Sequence, residues 1–179
     1  MGTFAVQIAK AMGADVTGVC STRNLDMVRG LGADQVIDYT QEDFTQNGQR
    51  YDLIIDNVGN PALHKRFYQC SLRPGGICVI VAGSFTLQVF RGPWMTMTGG
   101  NKIGTFMTAT NIKDLIFIKE LIEAGQVVPV IDRCYPLSEV PEAMRYFENG
   151  HSQGKVVIAV EQNNKAQQHA EPVGIQHAG

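Results

Sequence analysis

The sequence predicts an α/β fold, a doubly wound parallel sheet. Three observations carry that prediction. Short apolar runs alternate along the chain with longer stretches of helical periodicity. The runs are nearly continuous in Val and Ile, the mark of strands covered on both faces. Glycine follows most of the helical stretches, and there are 19 glycines in 179 residues. Sheets of this kind bind ligands beyond the carboxyl ends of their strands.

Taken in order, residues 3–12 read as a helix. Phe4 and Ile8 share a face, Ala5, Ala9 and Met12 lie beside it, and Gly13 ends it. Residues 15–20 form a short apolar strand. Asn24 then caps a helix carrying Leu25, Val28 and Leu31, closed by Gly32. The next strand covers 35–39, a short helix 41–45, and Asn47-Gly48 makes a turn. Residues 51–56 read as a buried strand, and Pro61 opens a helix that reaches Cys70. Arg73-Pro74-Gly75-Gly76 reads as a turn before 77–82, the most continuous apolar strand. Residues 84–100 lack a period and hold the single tryptophan, Trp94; 102–107 form another strand. Residues 112–124 have the clearest helical stripe, Leu115, Ile118, Leu121 and Ile122, followed by Gly125. A strand at 130–135 precedes a helix capped by Ser138, with Val140, Ala143, Met144 and Phe147 on one face. The last strand is 155–160, and from Glu161 the polar, aperiodic composition predicts a disordered tail.

Composition narrows the function. A formal charge of −2 with no basic stripe argues against a nucleic-acid partner. No apolar run approaches the roughly 18 residues of a bilayer span, which argues against a membrane partner. Cys20, Cys70, Cys78 and Cys134 form no Cys-x-x-Cys pair and no Cys/His set with zinc spacing. Free thiols in a reducing, cytoplasmic setting are expected. His64 and His151 stand alone on polar stretches, and His169 and His177 lie in the tail. No residue is assigned a catalytic role and none a metal.

The sites to inspect are the strand-to-helix turns. Gly2-Thr3-Phe4-Ala5-Val6-Gln7-Ile8-Ala9-Lys10 resembles the helix after the glycine fingerprint of the medium-chain dehydrogenase/reductases. Leu31 to Tyr39, Tyr51-Asp52 to Gly59, Leu72 to Gly76 and Gly154 to Ile158 resemble later signatures of that superfamily, in order. The set points to its quinone-oxidoreductase or zinc-type alcohol-dehydrogenase-like branch. The resemblance implies a strand and glycine turn ahead of Gly2, and before them a GroES-like domain supplying zinc ligands and substrate contacts. On that reading the first, central strand is missing, and residues 16–20 and 51–56 flank its place with open edges. The implied organisation is a partial Rossmann domain at 1–127, a return segment at 128–160 and the tail at 161–179.

The resemblance further implies a nicotinamide cofactor. The turn Cys20-Ser21-Thr22-Arg23 has no acid for a ribose 2′-hydroxyl, and Arg23 offers a fork that suits a 2′-phosphate. NADPH is therefore expected ahead of NADH, with Ser21, Thr22, Arg23 and Tyr39 around the adenosine phosphate; otherwise these are solvated turn residues. Gly2 either lets the helix end approach a pyrophosphate or only makes a tight turn. Asn57, Val58 and Gly59 either line the adenosine or form an Asx turn. Ala82, Gly83, Thr105 and Phe106 either face the nicotinamide or are strand ends. The implied activity is hydride transfer from NADPH to a quinone, enone or carbonyl, or alcohol oxidation in reverse, with this chain alone lacking a complete active site. The alternative is a non-catalytic nucleotide-binding or dimerisation module, a homodimer pairing through the edge strand 102–107.

Overall fold

A computed structural model describes residues 1–58, 71–81, 102–105, 111–150 and 152–160. The helix opened by Pro61, the Trp94 stretch and the tail lie outside the described residues. So do the candidates Gly59, Ala82, Gly83 and Phe106. The chain divides into two compact units, Met1–Val128 and Pro129–Gly179.

The first unit opens with α1 (Gly2–Ala11), which ends where Gly13 takes φ +78° and donates to the Lys10 carbonyl at 2.9 Å. Strand β1 (Thr17–Cys20) pairs in parallel with β2 (Gln35–Asp38), from Thr17 opposite Gln35 to Cys20 opposite Asp38. Helix α2 (Leu25–Gly30) crosses β1 so closely that a Cβ on Gly18 would lie 2.4 Å from Val28 Cγ1. Val28 and Ile37 are buried there.

Three further strands form a parallel sheet in the order β3 (Tyr51–Asp56), β4 (Leu72–Ile80), β5 (Lys102–Thr105). Its core is Leu72, Cys78 and Ile80, with Ile54 packed on them. Helix α3 (Ile112–Glu123) follows, capped by Asn111, whose Oδ1 accepts from the Asp114 amide at 2.9 Å. The chain then returns through Val127, which is fully buried.

In the second unit β6 (Ile131–Pro136) pairs in parallel with β7 (Lys155–Ala159). Between them runs α4 (Val140–Glu148), with Ala143 buried. Tyr146 Oη donates to Asp132 Oδ2 at 2.7 Å, and the Arg133 guanidinium lies 4.0 Å over the Tyr146 ring. A Cβ on Gly154 would meet the Val130 carbonyl oxygen at 2.4 Å, so β7 begins where only glycine fits.

The parallel α/β architecture is as the sequence predicts, with corrections to local detail. Residues 41–45 form irregular chain and turns, not a helix. Asp43 Oδ1 accepts from both the amide and the hydroxyl of Thr45, an Asx arrangement that outcompetes a helical turn. Arg73-Pro74-Gly75-Gly76 lies inside β4 rather than in a turn. Gly75 at φ +81° absorbs an irregularity in register against Tyr51 and Leu53. Asn24 holds the N-cap position of α2 as expected, without a side-chain cap bond, and also ends a short 3-10 turn, Thr22–Asn24. Ser138 is not a cap, since it lies inside the 3-10 turn Leu137–Glu139 and Glu139 takes the N-cap of α4. Strand β3 is not wholly buried. Its alternation turns Ile54 to the core, while Leu53 and Ile55 are 52% and 41% exposed. Among the described residues β1 and β3 do not pair, and each bonds a neighbour on one side alone.

Candidate functional site

Apart from Gly2, the described candidates lie at or just after the carboxyl ends of parallel strands. Because Cys20 and Asp38 are register partners, the turns after β1 and β2 leave side by side. The ladder extends one step further, with the Tyr39 amide donating to the Cys20 carbonyl at 3.1 Å. The structure thus brings Ser21, Thr22 and Arg23 next to Tyr39, whose ring is exposed.

Two residues that the sequence reading missed tie these turns together. Asp38 Oδ2 accepts from Thr22 Oγ1 at 2.5 Å. Asp38 Oδ1 accepts from Thr40 Oγ1 at 2.7 Å and from the Thr40 amide at 2.9 Å. These bonds, Thr22 first and Thr40 second, hold the Asp38 carboxyl below the usual carboxylate range. The turn after β1 has no acid of its own, but the neighbouring strand supplies one. Its signal was present as Asp38-Tyr39-Thr40 closing an apolar run, an Asx pattern whose reach across the sheet depends on register. Ser21 Oγ accepts from Asn24 Nδ2 at 3.3 Å.

A second group forms at the start of α1. A Cβ on Gly2 would lie 3.9 Å from Asn57 Nδ2, so the helix start and the turn after β3 adjoin. Met1 precedes the helix without a side-chain cap bond. The amides of Phe4 and Ala5 both donate to the Met1 carbonyl. The Val58 amide donates to Asp56 Oδ1 at 2.9 Å, the Asx turn that stood as the alternative reading of this segment. Val81 closes beside it, its amide donating to the Asp56 carbonyl at 2.8 Å. Thr105 ends β5 opposite Ile80 and makes no part of either group by backbone pairing.

A third residue, given no role in the sequence reading, ties α1 to the backbone at Val128. Gln7 is buried; its Nε2 donates to the carbonyls of Thr3 and Val128 at 3.0 Å, and its Oε1 accepts from the Val128 amide at 2.7 Å. The amide side chain therefore reads both backbone groups of Val128, as a strand neighbour would.

The Cys20 and Cys78 thiols are poor nucleophiles. Burial, then the Asp56 charge, pushes the Cys78 thiol up to about 12. Burial, then Asp38, also pushes up Cys20. Among the described residues no three His, Cys, Asp or Glu side chains gather to hold a metal ion. None of the described helices is long and apolar enough to cross a membrane.

With that geometry in place, residues 31–158 match the family model described as zinc-binding dehydrogenase. The chain belongs to the medium-chain dehydrogenase/reductase superfamily. It is 37% identical over 182 residues to the mouse (Mus musculus) protein named NAD(P)H oxidoreductase RTN4IP1, mitochondrial, covering 89% of this chain and 45% of that one. It is 31% identical to the trans-enoyl reductase pgmF of Aspergillus terreus, covering 90% of this chain and 49% of that one. Among solved structures it superposes on the quinone oxidoreductase from Coxiella burnetii with a TM-score of 0.76 at 28% identity, covering 88% of this chain and 49% of that one. The chain thus spans about half the length of these relatives. The family's description includes zinc, yet the described residues offer no fitting donor set, so no step is assigned to a metal here.

Proposed function

We propose that this chain is the cofactor-binding part of an NADPH-dependent oxidoreductase acting on a quinone, enone or carbonyl, or on an alcohol in reverse. The observation that carries it is the pairing of the turns after β1 and β2, which sets Ser21, Thr22 and Arg23 beside Tyr39 at the carboxyl ends of two strands. The residues fit a dinucleotide. Ser21, Arg23 and Tyr39 would hold the adenosine phosphate, and Gly2 leaves room for a pyrophosphate at the start of α1 beside Asn57. The bound nicotinamide supplies the hydride. The chain's own residues bind and orient it, and turnover needs groups beyond the described residues, which hold no matched acid and base.

Supporting the reading are the relatives named as NAD(P)H oxidoreductase and enoyl reductase. Strand β5, one of the two outer strands of its sheet among the described residues, suits a homodimer contact through 102–107. A reducing compartment, the cytoplasm, keeps the thiols free, and cell fractionation distinguishes it from the mitochondrion of the mouse relative's name.

The test is a titration of NADPH into the purified protein, following the fluorescence of its single tryptophan, Trp94. Saturable binding without NADPH consumption on adding a quinone or enone is expected. A folded protein that binds no dinucleotide overturns the reading, and turnover overturns the claim that further groups are needed.

A further inference from the structure

The two paired turns share one acceptor, the Asp38 carboxylate. An ionised carboxylate accepts and never donates. Asp38 is held ionised, so the Thr22 contact at 2.5 Å and the Thr40 contact at 2.7 Å each consume the one proton of a hydroxyl. The two hydroxyl oxygens also lie 3.2 Å apart, a weaker alternative than either bond to the anion. Thr22 and Thr40 therefore have lone pairs left and no hydroxyl proton to give.

We propose that Asp38 is a specificity-determining residue for the 2′ position of the cofactor's adenosine ribose. With Thr22 and Thr40 it makes a proton-accepting corner that takes a 2′-hydroxyl and resists a 2′-phosphate. A 2′-hydroxyl donates a hydrogen bond, which Thr22 Oγ1 can accept. A 2′-phosphate needs donors, finds the Thr22 proton already committed, and meets a like charge one side chain away. Repulsion of that kind near a surface weakens binding by roughly tenfold. Arg23 acts in the opposite sense, drawing phosphate to the same turn. The selectivity of the site is then the balance of Arg23 against Asp38, and Asp38 limits the preference for NADPH over NADH to about a factor of ten or less. This inference rests on the proposed cofactor role of the turn after β1.

The test measures dissociation constants of NADPH and NADH by tryptophan fluorescence for the unsubstituted protein, Asp38→Asn and Thr22→Val. Asp38→Asn removes the charge and releases a hydroxyl proton, so its NADPH-to-NADH affinity ratio rises about tenfold. Thr22→Val removes an acceptor that serves the 2′-hydroxyl alone, so NADH weakens several-fold while NADPH changes by less than about twofold. A shift in the ratio below about threefold in Asp38→Asn overturns the inference and leaves the cofactor reading standing. If Asp38→Asn does not fold, Thr22→Val decides: a larger loss for NADPH than for NADH shows that Thr22 donates to phosphate, and overturns it. Failure of the unsubstituted, folded protein to bind either dinucleotide overturns the inference and the cofactor reading together.

Discussion

The β1–β2 pair and the β3–β4–β5 sheet solve different problems within one unit. The carboxyl end of β1–β2 is dense in polar bonds, with Asp38 binding side chains from both turns. Its packing depends on glycine, since Gly18 makes room for Val28. The β3–β4 side is held instead by large buried side chains, Leu72, Cys78 and Ile80, and it turns Leu53 and Ile55 outward. The first region is built for geometry at a turn, the second for core volume. Substitutions in the two should therefore fail differently.

The largest effect is expected in the volume-based region. Leu72→Ala empties a nearly fully buried site and should cost about 3 kcal/mol in denaturant unfolding. The matching substitution on the other side adds volume. Gly18→Ala drives a methyl group into Val28 and should cost about 2 kcal/mol. Much of that loss should return in the Gly18→Ala, Val28→Ala double variant, whereas equal losses in single and double would show that backbone freedom, not contact, decides. Gln7→Leu leaves both backbone groups of Val128 without their side-chain partner. It should cost about 1–2 kcal/mol and speed hydrogen exchange at the Val128 amide.

A pH series sharpens the polar side of the comparison. Lys10 Nζ contacts both Asp34 oxygens at 2.8 Å, and the Val16 amide donates to the same carboxylate at 2.7 Å. Those bonds, Lys10 first, lower the Asp34 pKa. Folding depresses it, so the stabilisation is present above the ordinary carboxylate value, about 4, and is lost as pH falls through the folded value. Asp34→Asn should flatten the fall in urea midpoint below about pH 4, modestly because the pair is exposed. The smallest effect on stability is expected at the outward face of β3. Ile55→Lys should change unfolding free energy by less than about 0.5 kcal/mol and yet raise solubility, measured by light scattering at rising concentration.

Local sequence chemistry was a good guide where a residue's partner is near in the chain. The helix at 112–124 and the strand at 51–56 were legible from period and flanking residues, and the observed bounds are Ile112–Glu123 and Tyr51–Asp56. The Pro74-Gly75-Gly76 run misled because such residues suit a turn and a strand irregularity alike, and the pairing of Leu72 and Ile77 with β3 on either side of it selects the latter. At the site, Ser21, Thr22, Arg23 and Tyr39 could be named from the turns that hold them. Asp38 could not, because its role depends on lying opposite Cys20.

Periodicity, glycine placement and ordered motifs in the sequence determined the class of fold and the superfamily. Those signals arise from backbone preference and burial, which act over a few residues at a time. The tertiary structure alone decided which side chain receives the proton of Thr22, and which backbone Gln7 reads at Val128. Hydrogen bonds reach about 3 Å and depend on angle, so they follow the register of strands and the packing of helices, which spacing along the chain does not encode.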